Sequence, residues 1–168
     1  MKRALFIGRF QPFHNAHLLD IKSITKEVNQ IIIAIGSSQE QNTIENPFSC
    51  NERKQMIVNV LKKHKIKNCK IHPVPDLYDD EKWLRYIKKN LPKSDFLYSG
   101  NPWTLKCFKK YNLNVNKIKL VKGISSTIIR ERMLKDKNWQ DLVPKEVADY
   151  INKIKGVERI KRVYFNIL

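Results

Sequence analysis

The chain has 168 residues, 42% hydrophobic and 29% charged, which excludes a disordered or fibrous protein and is long enough for one domain with a real core. Its net charge of +17 comes from lysines spread along the chain with no recognised nucleic-acid-binding motif, so it reads as a field for small polyanions, and no nucleic-acid partner is expected. Three cysteines (Cys50, Cys69, Cys107) without a C-x-x-C spacing argue against a disulfide frame or a cysteine zinc site, and the lack of any signal-length or membrane-length apolar run suggests a cytoplasmic protein with no membrane partner.

Residues 3–8, with Ala4 to Ile7 all apolar, predict a first strand, and the spacing of Leu18, Ile21, Ile24 and Val28 predicts a helix over about 15–28. Ile31 to Ile35 reads as a strand buried on both faces, ending at Gly36, and 37–48 as a long polar loop. Ser49 to Glu52 has capping-box spacing ahead of a helix whose apolar face is Met56, Ile57, Val60 and Leu61. A third strand falls at about 69–74, with Pro73 near its end. Asp79 and Asp80 can cap a helix with Trp83, Leu84, Ile87 and Leu91 on one face. Asp95 to Tyr98 is a fourth strand, and Asn101-Pro102 suits the N-cap and first turn of a helix that turns Leu105 and Phe108 inward. Val115, Ile118, Leu120 and Val121 suggest strand five, after which Ser125, Ser126 or Thr127 caps another helix. Pro144 opens a helix with Val147, Ile151 and Ile154 on one face, ended by Gly156, and a short helix follows from Val157. Five strand–helix alternations imply a parallel α/β sheet, here in a single domain over 1–168, with its core at about 3–135 and C-terminal helices at about 145–165.

The chemistry concentrates in Gly8-Arg9-Phe10-Gln11-Pro12-Phe13-His14-Asn15-Ala16-His17, where the first strand meets the first helix. In an open α/β sheet ligands sit where strand C-termini meet helix N-termini, and a helix N-terminus favours anions. His14 and His17 share a face of the first helical turn, so with Arg9 they describe a phosphate-handling site. Arg9, Arg53 and Arg130 are candidate phosphate grips, since guanidinium forks match phosphate oxygens. Neither G-x-G-x-x-G nor a P-loop occurs. Structural histidines are one alternative for the pair and zinc another, although only His64 and His72 remain as further histidine ligands. Arg53 also fits a solvated helix face, Trp83 a core position and Asn101 a plain N-cap.

The first of these motifs resembles the H-x-G-H signature of a nucleotidyltransferase superfamily, and Ile124-Ser125-Ser126-Thr127-Ile128-Ile129-Arg130 resembles its I-S-S-T-x-x-R element. The narrower spelling Gly8 to His14, with Asn46-Pro47-Phe48, Glu52-Arg53 and Tyr98 to Pro102, is similar to archaeal-type nicotinamide-nucleotide adenylyltransferases. The resemblance implies a Rossmann-like doubly wound parallel sheet, order 3-2-1-4-5, with helices on both faces and a C-terminal helical segment. It implies transfer of the adenylyl group of ATP, with Mg²⁺, to nicotinamide mononucleotide, giving NAD and pyrophosphate. His14, His17 and Arg130 would be catalytic. Gly8, Arg9, Phe10, Ser125, Ser126 and Thr127 would join them in holding ATP, with no protein metal ligands named. Gly36, Ser37, Arg53, Asp76, Trp83 and Asn101 would hold the mononucleotide, Trp83 by stacking on its nicotinamide ring. A homo-oligomer, often a hexamer in that family, is also implied. Two departures stand out: Ala16 replaces the motif's glycine, and Asn42-Thr43 stands where the family often has His-Thr. Another phosphorylated acceptor (FMN, phosphopantetheine or glycerol phosphate) and a basic nucleic-acid-binding module are the alternative readings.

Overall fold

The computed structural model describes residues 1–110, 114–118 and 121–165. Its strands are β1 (Arg3–Gly8), β2 (Gln30–Ile35), β3 (Cys69–Pro73), β4 (Phe96–Ser99) and β5 (Val115–Lys117). Its helices are α1 (Asn15–Ile24), α2 (Cys50–Lys63), α3 (Asp80–Asn90), α4 (Pro102–Lys110), α5 (Ser126–Leu134), α6 (Lys145–Lys153) and α7 (Gly156–Phe165), with a 3-10 turn at Gln140–Leu142. The strands pair in parallel in the order β3-β2-β1-β4-β5, the Rossmann-like order that the family resemblance implies.

The described chain falls into two compact units interleaved in sequence. One comprises Met1–Gly8, Asp20–Ser38 and the described part of 68–120, and holds the whole sheet with α3 and α4. Side chains alternate along a strand, so Leu5, Ile7, Ile32, Ala34 and Leu97 share one sheet face. That face is packed by Trp83, Leu84, Ile87 and Leu91 of the α3 region and by Cys107 and Phe108 of α4. Ala4, Phe6, Ile31, Ile33 and Ile35, on the alternate positions, are buried as well, which is why both strands read as continuous apolar runs. Asp79 caps α3 by accepting the Lys82 N–H at 2.8 Å.

Two boundaries differ from the periodicity. α1 stops at Ile24 rather than near residue 28, because Lys26 and Glu27 donate to carbonyls three residues back, Ser23 and Ile24, and the last turn tightens. β5 is only Val115–Lys117; Ile118 lies beyond it and Leu120 lies outside the described residues.

The other unit comprises Arg9–Leu19, Gln39–Lys67 and the described part of 121–168, and holds α2, α5, α6 and α7. The capping box of α2 is complete: Ser49 Oγ accepts the Glu52 N–H at 3.2 Å, and Glu52 Oε2 accepts the Ser49 N–H at 2.8 Å. The same Glu52 carboxylate takes Arg159 of α7 at 2.7 Å. Burial opposes ionisation of Glu52, but the Arg159 and Ser49 hydrogen bonds prevail and hold its pKa below the usual value. Gly156 does not end α6 in a left-handed conformation; Ile154 is the C-cap, and the residue after it, Lys155, is left-handed with φ of 52°. Gly156 instead opens α7, where a side chain would come within 2.8 Å of Phe48 and 2.9 Å of Ile151.

Candidate active site

The loop Arg9–Pro12 is held by polar bonds from residues distant in sequence. Phe10 has φ of 54°, uncommon for a bulky residue, although its ring is buried. The Arg9 carbonyl accepts Arg53 Nη1 at 2.9 Å, the Gln11 carbonyl accepts Arg130 Nη1 at 2.8 Å, and the Pro12 carbonyl accepts Ser126 Oγ at 3.1 Å. The Gln11 side-chain amide pairs with the main chain of Phe48, donating to its carbonyl at 2.8 Å and accepting its N–H at 3.0 Å.

Beyond the loop, α1 begins with an exchange of hydrogen bonds between the two histidines. His14 Nδ1 accepts the His17 N–H at 3.4 Å, and His17 Nδ1 accepts the His14 N–H at 3.2 Å. This is a capping box built from imidazoles. An Nδ1 that accepts leaves the ring proton of a neutral imidazole on Nε2, so both rings carry an Nε2–H donor. The rings stack with centroids 3.5 Å apart and planes at 14°. Phe10 stands edge-on to His17 at 4.8 Å and Phe13 lies at 5.3 Å from it. Burial lowers the His14 pKa to about 4, and burial together with His14 holds His17 well below its ordinary value. Both are neutral donors at physiological pH. Ala16, in place of the motif's glycine, lies inside α1 and is not among the residues with positive φ, so its methyl causes no backbone strain.

At the start of α5, Ser125 is the N-cap and accepts the Ile128 N–H at 3.2 Å. Thr127 is exposed and, with Arg9 and Arg130, lines a cavity of about 680 Å³. Leu134, Ile160 and Phe165 give this cavity an apolar wall, and Thr43 also lines it. Burial and the neighbouring Arg9 both lower the Arg130 pKa, against Glu45 and Glu131, so two cations face one space, as an anion site requires. His14 and His17 are not among its lining residues. Arg53 is fully buried rather than solvated; its guanidinium also donates to Ser49 O at 3.3 Å and Glu40 O at 3.4 Å.

The sheet-bearing unit carries the remaining sequence candidates. The Gly36 N–H donates to the Gly8 carbonyl at 2.9 Å, joining the ends of β1 and β2. Ser37 is buried with φ of 48°, and Asp76 is half-buried. Trp83 is 3% exposed within the apolar cluster, 4.9 Å from the half-exposed Trp103 and 6.0 Å from Phe108. Trp103 Nε1 donates to Asp80 at 3.1 Å. Asn101 is the N-cap of α4, its Oδ1 accepting the N–H groups of Trp103 at 2.9 Å and Thr104 at 3.4 Å. Gln11 and Phe48 lie inside the sequence motifs without a role assigned to them there, and Trp103 carries no sequence signal of its own.

Among the described residues, no group of three or more His, Cys, Asp or Glu is placed to hold a metal ion, and no helix is long and apolar enough to cross a membrane.

Sheet order, the imidazole pair and the arginine-lined cavity fit a phosphate-handling α/β protein, and residues 5–132 match the model of cytidylyltransferase-like proteins. Much of the chain also aligns with curated relatives named nicotinamide-nucleotide adenylyltransferase. The protein of that name from Thermococcus sibiricus is 40% identical over 163 residues, covering 95% of this chain and 88% of its own. The one from Methanococcus aeolicus is 41% identical over 163 residues, covering 96% and 94%. A solved structure of a bifunctional NMN adenylyltransferase/ADP ribose pyrophosphatase from Francisella tularensis, complexed with AMP and Mn ion, shares the fold with a TM-score of 0.72 at 23% identity. The alignment spans 98% of this chain and 56% of that one. The chain belongs to the nicotinamide-nucleotide adenylyltransferase family.

Proposed function

We infer that the chain transfers the adenylyl group of ATP to the 5′-phosphate of nicotinamide mononucleotide, giving NAD and pyrophosphate. The observation that carries the reaction class is the stacked His14–His17 pair, with two neutral Nε2–H donors at a helix N-terminus. The acceptor follows from the names of the relatives.

A phosphate monoester has a second pKa of about 6, so the mononucleotide's phosphate is already largely ionised at physiological pH and needs no general base. One of its oxygens attacks the α-phosphorus of ATP, the bond from that phosphorus to the bridging oxygen breaks, and pyrophosphate leaves with the electron pair. The protein's task is to hold two polyanions in line and to stabilise charge at the α-phosphate. His17 donates to the α-phosphate and bridging oxygen, with His14 beside it; neutral donors aimed at developing charge act as an oxyanion-type site. Arg9, Arg130, Ser125, Ser126 and Thr127 serve the β- and γ-phosphates, and Gly8 and Phe10 shape the loop. Gly36, Ser37, Asp76 and Asn101 serve the mononucleotide, with Trp103 backed by Trp83 as an aromatic wall.

A divalent cation, Mg²⁺ in the cell, enters as part of the ATP substrate. Imidazole, hydroxyl and guanidinium donors suit the phosphates, and they leave the cation to phosphate oxygens and water, as is common for Mg²⁺. The net charge of +17 raises the local concentration of both substrates without requiring a nucleic-acid partner. The same reading takes the chain as one transferase domain in the cytoplasm. It further takes the assembly as a homo-oligomer, hexameric by family resemblance, with exposed Tyr164 and Phe165 as apolar surface for it.

The test is pyrophosphate release from ATP or CTP with Mg²⁺ and a panel of acceptors: nicotinamide mononucleotide, FMN, phosphopantetheine and glycerol phosphate. ATP with nicotinamide mononucleotide should give the highest kcat/KM. Another acceptor better by about tenfold overturns the substrate assignment, and no release with any acceptor overturns the reaction class.

A further inference from the structure

We propose that Arg53 is a positioning residue for adenylyl transfer, acting through the main chain of Arg9 rather than on a substrate. The proposal rests on the adenylyl-transfer reading above. Arg53 has no exposed surface, so its guanidinium cannot reach a ligand as it stands. An arginine stays protonated, and burying its charge is costly unless the donors are used. Here they converge on carbonyls from three separate stretches: Arg9 at 2.9 Å, Ser49 at 3.3 Å and Glu40 at 3.4 Å.

The bond to Arg9 matters most for function. Its carbonyl belongs to the peptide that leads into Phe10, whose φ of 54° is the strained joint of the loop. The Arg9 side chain lies on one side of that joint and lines the arginine cavity; the Phe10 ring lies on the other and packs edge-on to His17 at 4.8 Å. Fixing one peptide plane therefore orients both a phosphate grip and an aromatic support of the imidazole pair. Arg130 and Ser126 donate to the next carbonyls, Gln11 and Pro12, while Arg53 donates to that of Arg9. Arg53 is itself held from outside the loop. Its backbone N–H donates to Ser49 O at 3.0 Å, and Ser49 is boxed with Glu52, which Arg159 pairs from α7.

The experiment compares wild type with Arg53→Lys and Arg53→Gln. Melting curves, ATP affinity by calorimetry, and kcat and KM for nicotinamide mononucleotide are measured for each. A lysine keeps the charge but cannot fork between carbonyls. The expected result is a folded Arg53→Lys with kcat and ATP affinity each lowered about 10–100-fold and the mononucleotide KM within about threefold of wild type. Added guanidinium ion should restore part of the activity lost in Arg53→Gln, which a general loss of stability would not allow. Folded variants with kcat and ATP affinity within about threefold of wild type overturn the proposal, as does a mononucleotide KM raised about tenfold at unchanged kcat, which would make Arg53 a substrate contact. Failure of both variants to fold overturns it too, leaving Arg53 a core residue. If wild type makes no NAD, the function reading fails, while the ATP calorimetry still reads the effect of Arg53 on the phosphate grip.

Discussion

β1 and the loop at residues 9–12 are consecutive in the chain, yet different chemistry holds them. Leu5, Ile7 and their neighbours on β2 are fixed by burial against Trp83, Leu84, Ile87 and Phe108, an apolar cluster with no required direction. The loop is fixed by directed bonds: forks from Arg53 and Arg130, the Ser126 hydroxyl and the Gln11–Phe48 amide pair. An apolar face tolerates substitutions that keep its volume. A directed bond leaves an unsatisfied buried carbonyl when its donor is removed. The loop that leads into the imidazole pair is thus built for direction, and the scaffold for cohesion.

The contrast can be broken most severely on the scaffold side. Trp83→Ala should cost about 3–5 kcal/mol of stability, read from denaturant melts, because it removes a large ring from a filled core. An unchanged melt with a raised mononucleotide KM would instead make Trp83 a wall for the nicotinamide ring.

On the loop side the expected loss is of rate rather than stability. His17→Ala should lower turnover about 10²–10³-fold with ATP affinity nearly unchanged, the scale for losing one oxyanion-type donor. His14→Ala should follow the same pattern less severely. Turnover of His17→Ala within about threefold of wild type would remove the imidazole from the chemistry.

The smallest effect is a difference in pH dependence between the two regions. His14 has a folded pKa of about 4 against an ordinary 6.5, so the unfolded chain binds the proton first. The stability this gives is complete above 6.5 and is lost as pH falls towards 4. Asp20, in the sheet unit, is pushed by burial from 3.8 up to about 7, so its contribution is complete below 3.8 and is lost as pH rises through 7. The two slopes oppose each other over one window. Melting temperatures of Asp20→Asn should therefore fall more steeply than those of wild type between pH 6.5 and pH 4. Parallel curves would contradict the opposition.

The same contrast decides what could be read from the chain. The apolar runs of β1 and β2, the Ser49–Glu52 box and the caps at Asp79, Asn101 and Ser125 all lie within a few residues of the elements they define, so spacing finds the runs and the box and narrows the caps to Asp79 or Asp80 and to Ser125, Ser126 or Thr127. Arg53 was open to being a phosphate grip or a solvated residue because its partner, the Arg9 carbonyl, lies 44 residues away. Gly156 reads as a helix stop, whereas it opens α7 at a place where a side chain would collide with Phe48, far upstream in sequence. The residue types of the candidate site stand in the sequence; the donors that hold the loop depend on long-range geometry that spacing does not encode.

The central claim is attack by the mononucleotide's phosphate on the α-phosphorus of ATP, and isotope tracing tests it directly. The wild-type protein is given ATP, Mg²⁺ and nicotinamide mononucleotide carrying ¹⁸O in its phosphate, and the products are weighed by mass spectrometry. All of the label should remain in NAD, with pyrophosphate unlabelled. Label in pyrophosphate, or no NAD despite consumption of ATP, would contradict the account.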